Sequence, residues 1–93
     1  MIKSFKCAET ELIFQRERSK KFSPQIQHRA QMRLDRIEAA MAVGDLRLPP
    51  SHNLEKLSGG RKGQYSIRVN KQWRICFKWR NGNAHDVEIV DYH

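Results

Sequence analysis

The last three residues of the sequence, Asp91, Tyr92 and His93, carry side chains that can move protons. A histidine titrates near neutral pH, so His93 can act as a general acid or base. The Tyr92 hydroxyl can donate to a phosphate and its ring can stack on a base, while Asp91 can orient the histidine or hold a cation. Terminal residues usually fray, so this interpretation requires the alternating segment 87–90 to be a paired strand.

Arg68 and Arg74 flank one predicted hairpin turn, and strand alternation places both on the same face of a sheet. A guanidinium fork matches phosphate oxygens in two directions, so both arginines can reach one phosphate. Cleavage of RNA without a metal needs a base for the 2′-hydroxyl, cations for the phosphate and an acid for the leaving 5′-oxygen. Spacing alone leaves open that the two arginines are merely solvated strand residues.

The charge of the chain favours a polyanionic partner. Eighteen Lys and Arg against ten Asp and Glu give a formal net charge of +8. Such an excess in a small domain recruits polyanions, and arginines interleaved with aromatic residues in the second half point to nucleic acid. Two alternatives stay open: the charge only keeps the protein soluble, or an acidic protein partner binds alongside RNA.

Cysteine and histidine positions predict neither a metal site nor a cofactor. Cys7 and Cys76 lie far apart and match no metal-binding spacing. They are most simply two buried or half-buried thiols in a reducing compartment. The histidines are not spaced for shared ligation on one element; they are His28, His52, His85 and His93.

The length of 93 residues allows one domain, which we expect to span residues 1–93. The longest apolar runs, such as 39–43, are too short to cross a bilayer. The lysines of the first residues are not followed by an apolar stretch, so no signal peptide is predicted. We therefore expect a cytoplasmic protein without a membrane partner.

Two helices are predicted in the first half, after a short first strand over residues 2–5. Residues 9–18 read as the first helix. Ser23 is a suitable N-cap for the second, with Pro24 at its first position, and Gly44 is expected to end it. The core-facing stripe of this helix recurs at helical spacing; it comprises Ile26, Ala30, Leu34, Ile37 and Met41.

The second half changes to strand periodicity after an irregular connection over 45–53. Residues 65–69 and 73–79 alternate apolar and polar side chains around a short connection, and Asn81-Gly82 is a type I′ turn signal. A last strand over 84–92 completes a three-stranded antiparallel meander. The predicted fold class is α+β, with the two helices on one face of the sheet. The charged face then collects four cations: Arg68, Arg74, Lys78 and Arg80.

Three segments resemble the HigB branch of the RelE-type toxin superfamily. They are residues 1–5 (MIKSF), 65–77 (YSIRVNKQWRICF) and 87–93 (VEIVDYH). The resemblance runs essentially end to end and is most specific in roughly the last third of the chain. It implies a RelE-like, microbial-ribonuclease-like toxin fold and a metal-independent endoribonuclease that enters the A site of the 70S ribosome, cuts the messenger RNA there and inhibits translation.

The same resemblance implies partners and site residues. The antitoxin is expected to be a helix-turn-helix protein of the HigA type, and operator DNA is contacted only through the toxin–antitoxin complex. Arg74 and the terminal Asp91, Tyr92 and His93 match active-site positions of relatives, and Arg68 lies beside them. Asn70 also lies beside these positions. Independently of the resemblance, the basic residues of the segment 55–63 and of the charged sheet face are expected to contact RNA: Lys56, Arg61, Lys62, Lys78 and Arg80.

The segment 55–63 departs from the pattern of some relatives. Those proteins have a catalytic His and Lys before a glycine-rich loop, where this chain has Glu55 and Ser58. Flexible glycines in this segment would let it follow a nucleic-acid backbone, although an ordinary basic turn is the simpler alternative. Two other classes compete with the nuclease: a gyrase-inhibiting toxin of the ParE kind, against which the Asp-Tyr-His ending argues, and a basic RNA-binding module without chemistry.

Overall fold

The computed structural model describes residues 1–92. Two helices, α1 (Ala8–Phe14) and α2 (Pro24–Ala39), precede four strands in chain order: β1 (Glu55–Lys56), β2 (Gln64–Arg68), β3 (Trp73–Arg80) and β4 (Asn83–Asp91). The strands form one sheet in the order β1-β2-β3-β4, and each neighbouring pair is antiparallel. This confirms the predicted α+β class. The described residues contain no helix long and apolar enough to cross a membrane.

Helix α1 is shorter than predicted because a left-handed residue ends it. Arg16 has φ 64°, and its N–H donates to the Ile13 carbonyl while the Glu17 N–H reaches back to Leu12. This pair of bonds satisfies the last carbonyls of the helix and turns the chain away from it. The Arg16 guanidinium then binds the Asp35 carboxylate at 2.7 Å and ties the turn to α2.

Helix α2 begins as predicted and ends early. The Ser23 hydroxyl accepts a hydrogen bond from the Ile26 N–H, and Pro24 is the first helical residue. The helix ends at Ala39 rather than near Gly44, because Ala40 is extended. The prediction that Met41 belongs to the core stripe is therefore wrong, since it lies beyond the helix and is 84% exposed. The buried residues of the stripe are Ala30, Leu34 and Ile37.

The residues predicted as a first strand instead protect the outer edge of β4. Ile2 and Phe5 form isolated parallel bridges with Ala84 and Val87, without a continuous strand. Further along the same edge, the Thr10 hydroxyl accepts a hydrogen bond from the Ile89 N–H at 3.1 Å. Backbone groups that would otherwise face outward are thus satisfied by the N-terminal segment and α1.

The helices pack on the face of the sheet that carries the alternating apolar residues. The buried cluster between the layers includes Leu34 and Ile37 from α2, Ile75 and Phe77 from β3, and Val87 from β4. The β3–β4 turn has positive φ at both central residues, 52° at Asn81 and 76° at Gly82. A type I′ turn requires this conformation, so the hairpin prediction is confirmed.

The two-residue strand β1 was not predicted. Glu55 pairs with Ser66 and Lys56 pairs with Tyr65, so the described part of the chain has four strands rather than a three-stranded meander. The pairing lays the segment 53–61 beside the sheet. Ser66 and Cys76 are fully buried, although alternation places them on the face opposite the helices. The expectation of an open charged face is wrong in this region.

Candidate active site

Arg74 is a buried cation on the sheet face that points away from the helices. The residue is 5% exposed. Its Nε donates to the Ser66 hydroxyl at 2.8 Å, and its Nη2 donates to the Asn53 carbonyl at 2.7 Å. A guanidinium bound at both ends has a fixed orientation, so the positive charge is held in place before any ligand arrives.

Glu55 and Tyr92 both contact Arg74. The Glu55 Oε1 lies 3.7 Å from the Arg74 Nη1, and the Glu55 side chain is 44% exposed. The Tyr92 ring centroid lies 5.2 Å from the guanidinium carbon, a cation–π distance. Tyr92 itself is 44% exposed. A carboxylate and a phenol that solvent can reach therefore meet at one fixed cation.

An open depression of about 260 Å³ lies beside these three residues, and we call it the Tyr92 cleft. Glu55 and Ser58, the two positions that depart from the pattern of relatives, both line it, as does Tyr92. The remaining lining residues are Lys56, Leu57, Gly60 and Arg61. The cleft thus combines a carboxylate, two hydroxyl groups and two cations, which suits a substrate with both phosphate and hydroxyl groups.

Glu88 partly neutralises the cationic wall of the cleft. Its carboxylate lies 3.3 Å from the Arg61 Nη2 and 3.6 Å from the Lys6 Nζ, and its side chain is 14% exposed. Cys76, the cross-strand neighbour of Glu88, is fully buried, and burial raises the pKa of its thiol. A neutral thiol is a poor nucleophile, so Cys76 has a packing role. Cys7 and Cys76 are both free cysteines.

Arg68 lies apart from this cleft. It is the cross-strand partner of Arg74, yet its Nε donates to the Asn70 carbonyl at 3.0 Å. It lines a separate depression of about 300 Å³, together with Arg29, Arg33, Ser51, Val69, Asn70 and Lys71. The structure does not place Arg68 among the described residues that line the Tyr92 cleft. The expectation that Arg68 and Arg74 reach one phosphate stays a prediction. We call the second site the arginine depression.

The turn between β2 and β3 holds Asp91 and Tyr92 in place. The Asn70 Oδ1 accepts hydrogen bonds from the backbone N–H groups of Gln72 and Trp73 at 2.9 and 2.8 Å. Gln72 in turn donates from its side chain to the Asp91 carboxylate at 3.1 Å, and its carbonyl accepts from the Tyr92 N–H at 2.6 Å. Asn70 and Gln72 thereby position the residues beside the cleft.

The other predicted RNA-contacting residues are dispersed. Lys56 and Arg61 line the Tyr92 cleft, and Lys62 is exposed just after the Gly59–Arg61 turn. Lys78 and Arg80 lie towards the far end of β3 from Arg74. Lys78 binds Asp86 at 3.2 Å, and this contact lowers the pKa of the Asp86 carboxyl. The structure therefore does not bring Lys78 or Arg80 to the cleft.

His93 lies outside the described residues, so its predicted role as proton donor stays a prediction. Asp91 ends β4 beside Tyr92, opposite Trp73. Within residues 1–92, no group of three or more His, Cys, Asp or Glu side chains is arranged to hold a metal ion.

The family of the chain follows from comparison with known proteins. Residues 3–93 match the family of HigB-like toxins, described as the RelE-like toxin of the type II toxin–antitoxin system HigB. The chain belongs to the HigB-like toxins. This confirms the resemblance drawn from the sequence segments, and family membership makes an antitoxin the partner of the chain.

Two relatives of this HigB-like toxin are similar at the sequence level. The endoribonuclease HigB of Proteus vulgaris is 37% identical over 93 residues, which cover 100% of both chains. Toxin HigB-1 of Vibrio cholerae is 50% identical over 52 residues, 56% of this chain and 55% of that toxin. The second match thus spans only about half of each protein.

Solved structures share the fold of the HigB-like toxin. A chain of the heterotetrameric YoeB–YefM toxin–antitoxin complex from Staphylococcus aureus superposes with TM-score 0.61 at 18% identity, covering 100% of this chain and 98% of that chain. YafQ from E. coli superposes with TM-score 0.53 at 12% identity, covering 98% and 93%. At these identities the likeness shows the architecture alone.

Sequence reasoning missed the residues that hold Arg74. Ser66 was recognisable as a small polar residue on the charged face of its strand, and it takes the Nε hydrogen bond. The contribution of Asn53 is a backbone carbonyl, which no side-chain pattern reveals. Glu55 was recognised as a departure from the pattern of some relatives, but its ion pair with Arg74 depends on strand β1, which was not predicted.

Proposed function

We propose that this toxin is a ribosome-dependent endoribonuclease that cuts messenger RNA in the ribosomal A site and so inhibits translation. The observation that carries the proposal is the Tyr92 cleft, where the Glu55 carboxylate and the Tyr92 phenol meet at the fixed Arg74 guanidinium. The endoribonuclease of Proteus vulgaris, which aligns over the whole chain, supports the same activity.

The groups of the cleft suit the proton transfers of RNA cleavage. Glu55 takes the proton of the 2′-hydroxyl, and the 2′-oxygen attacks the adjacent phosphorus. The bond between phosphorus and the 5′-oxygen breaks, giving a 2′,3′-cyclic phosphate and a 5′-hydroxyl. A tail residue, Tyr92 or His93, donates the proton to the leaving oxygen. Arg74 supplies preorganised positive charge to the crowded phosphate, helped by Lys56 and Arg61 at the rim.

The ribosome aligns the RNA, which the cleft alone does little to do. Tyr92 lies over Arg74, and Arg74 is nearly buried, so a flexible RNA has little help in aligning its 2′-hydroxyl. A messenger held in the decoding site already has a constrained backbone, and such positioning contributes roughly 7–11 kcal/mol in favourable cases. The site of action is then the cytoplasm, where the net charge of +8 favours approach to ribosomal RNA.

The antitoxin that we propose is a helix-turn-helix protein of the HigA type. It is expected to offer acidic or apolar surface to this basic toxin, and to block entry into the ribosome by its bulk even where it leaves the Tyr92 cleft open. Operator DNA is contacted through the toxin–antitoxin complex only. Residues 1–93 act as one toxin domain in this proposal.

The deciding experiment compares Glu55→Gln with the matched control Glu17→Gln, an exposed glutamate in the α1–α2 connection. New messenger 5′ ends are mapped on translating ribosomes and on naked RNA. We expect the wild type and the control to cut ribosome-bound messenger in register with codons and to leave naked RNA intact. Glu55→Gln should cut about 10²–10⁴-fold more slowly, the usual range for a general base.

Other outcomes identify the competing classes. A Glu55→Gln protein as fast as the control removes Glu55 from the chemistry. Equal cutting of naked RNA refutes the ribosome requirement. Inhibition of DNA supercoiling without scission of RNA would identify a gyrase-directed toxin of the ParE kind, and salt-dependent RNA binding without scission would identify a plain binding module.

A further inference from the structure

The arginine depression holds a concentration of positive charge that the cleavage steps proposed above do not use. Seven of the described residues line it, and four of these are cationic and none is acidic: Arg29, Arg33, Arg68 and Lys71 line it with Ser51, Val69 and Asn70. Within residues 1–92, none of the four cations forms an ion pair. Like charges gathered without a counter-charge repel one another, and an anion would relieve that repulsion.

Two of the guanidinium groups are held in position from one side. The Arg33 Nε donates to the Arg68 carbonyl at 3.1 Å, and the Arg68 Nε donates to the Asn70 carbonyl at 3.0 Å. The terminal nitrogens of Arg68 form no hydrogen bond within residues 1–92, and Arg33 has a single long contact to the Ser51 hydroxyl at 3.5 Å. Fixed forks with free terminal donors are suited to the oxygens of a phosphate.

The electrostatics agree with this geometry. Burial lowers the pKa of the Arg33 guanidinium, and the charges of Arg29 and Arg36 lower it further. Arg29 and Arg33 are four residues apart on α2, a spacing at which like charges destabilise a helix. A cluster of like charges lowers the stability of the fold, and clusters that lower stability are commonly functional sites.

We propose that the arginine depression is a second phosphate-binding site, which grips the RNA backbone outside the scissile nucleotide. It deepens the function proposed above, since RNA is the ligand in both. Arg68 and Arg74 are partners across the β2–β3 ladder, where Cα atoms lie roughly 4.5–5.5 Å apart. An RNA strand leaving the Tyr92 cleft therefore meets the depression at the neighbouring strand.

The composition of the depression favours RNA over a protein partner. Among the residues that the structure describes, Val69 is the one apolar side chain that lines it. The centre of a protein interface is typically apolar and depleted of charge, whereas contacts to phosphates are made by Arg, Lys and small polar groups. The phosphates can belong to the messenger or to ribosomal RNA, since both present the same backbone.

The test uses the full chain with Arg29→Gln and Lys71→Gln combined, because both residues are exposed and make no hydrogen bond within residues 1–92. The matched control combines Arg18→Gln and Lys20→Gln, which remove the same charge from the α1–α2 connection. Binding is measured against salt concentration for a single-stranded RNA with 2′-O-methyl riboses, for small ribosomal subunits and for oligoglutamate.

The logarithm of the RNA-binding constant falls linearly with the logarithm of the salt concentration, with a slope of about 0.7 per phosphate contact for a single strand. Because the Arg29→Gln, Lys71→Gln variant loses two such contacts, we expect its slope to be smaller by about 1.4. At about 0.1 M salt this corresponds to roughly 25-fold weaker binding, whereas the control stays close to the wild type. A loss on the free RNA identifies messenger phosphates as the ligand, and a loss on ribosomal subunits alone identifies ribosomal RNA. Both results support the proposal.

Two results would overturn it. In one, the variant and the control bind the RNA and the subunits equally. In the other, the variant loses affinity for oligoglutamate but not for RNA, which would assign the depression to an acidic protein. The riboses of the RNA probe cannot be cleaved, so the binding result stands even if no scission is ever seen. Failure of the nuclease assignment is thereby kept separate from failure of this site.

Discussion

The Tyr92 cleft and the arginine depression differ in how their positive charge is compensated. In the cleft, Arg74 is buried, bound by Ser66 and Asn53, and paired with Glu55. In the depression, Arg29 and Arg33 lie close together without a carboxylate partner in the described residues. A buried charge must be compensated by groups of its own fold, whereas the charges of a partly exposed cluster can be compensated by a bound ligand. Replacing Arg74 in the cleft should therefore lower the stability of the protein, and replacing an arginine of the depression should raise it.

The largest effect is expected for Arg74→Ala. The change leaves the Ser66 hydroxyl and the Asn53 carbonyl without a donor, and hydrogen bonds to charged groups contribute about 1.5–3 kcal/mol each. Cleavage should be abolished, and the free energy of unfolding in urea should fall by on the order of 3 kcal/mol. Although the side chain points away from the helices, it is buried, so its removal is expected to lower the stability of the fold.

Glu55→Gln provides the control for that experiment, because it removes the charge of a partly exposed partner and leaves Arg74 bound by Ser66 and Asn53. We expect it to unfold close to the wild type while cleaving slowly. An Arg74→Ala protein as stable as Glu55→Gln would show that the hydrogen bonds of Arg74 carry no net stability.

The next effect concerns the tail. A protein ending at Asp91 loses Tyr92 and His93, and should cleave about 10²–10⁴-fold more slowly. It should unfold nearly as the wild type does, since Tyr92 is 44% exposed and β4 ends at Asp91. Rates on ribosome-bound messenger and urea unfolding measure the two quantities.

Tyr92→Phe separates the two functions of the ring. It keeps the stacking on Arg74 and removes the hydroxyl, so a fast Tyr92→Phe protein would assign proton donation to His93. A truncated protein that cuts as well as the full chain would remove the tail from the mechanism.

A smaller loss in the free energy of unfolding is expected from His52 as pH falls. His52 is fully buried, and its pKa is lowered from 6.5 by burial, despite the hydrogen bond to the Leu46 carbonyl, and also by the charges of Arg33 and Arg36. The unfolded chain therefore binds a proton more readily, and stability is lost as pH falls below about 6.5. The slope should be at most about 1.4 kcal/mol per pH unit. The Asp86 carboxyl, whose pKa is lowered from 3.8, contributes only in a more acidic range.

Urea unfolding between neutral pH and about pH 5 measures this slope, in the range where histidines titrate. His52→Asn keeps a donor for the Leu46 carbonyl and removes the titrating ring, so its profile should be flatter. His28→Gln, at an exposed histidine of α2, is the matched control for the loss of a histidine side chain. An unchanged slope in His52→Asn would mean that another group governs the acid sensitivity.

The smallest expected effect is an increase in stability. Arg29→Gln removes one of two like charges four residues apart on α2, and should raise the free energy of unfolding by about 0.2–0.5 kcal/mol. The gain should shrink as salt is added, because exposed charges are screened. Urea unfolding at low and high salt measures it. A loss of stability would mean that Arg29 is compensated and that the two regions do not differ as described.

The sequence was a good guide wherever a local pattern decides structure. Ser23-Pro24 located the start of α2, Asn81-Gly82 located the second hairpin turn, and strand alternation placed Arg68 on the face of Arg74. It failed where distant parts of the chain meet. Nothing local shows that Asn53 offers its carbonyl to a side chain 21 residues away, and a two-residue strand is too short to produce a periodic pattern.

The satisfied edge of β4 also affects how this protein behaves among other chains. Its backbone groups are hydrogen-bonded to the backbone of Met1, Lys3, Ser4 and Lys6 and to the Thr10 hydroxyl. The strand at the opposite border of the sheet, β1, has only two residues. Exposed strand edges are templates on which another polypeptide can add a strand and begin to aggregate. With both borders closed or very short, crowding alone should not turn this sheet into an aggregation nucleus, even when the toxin accumulates.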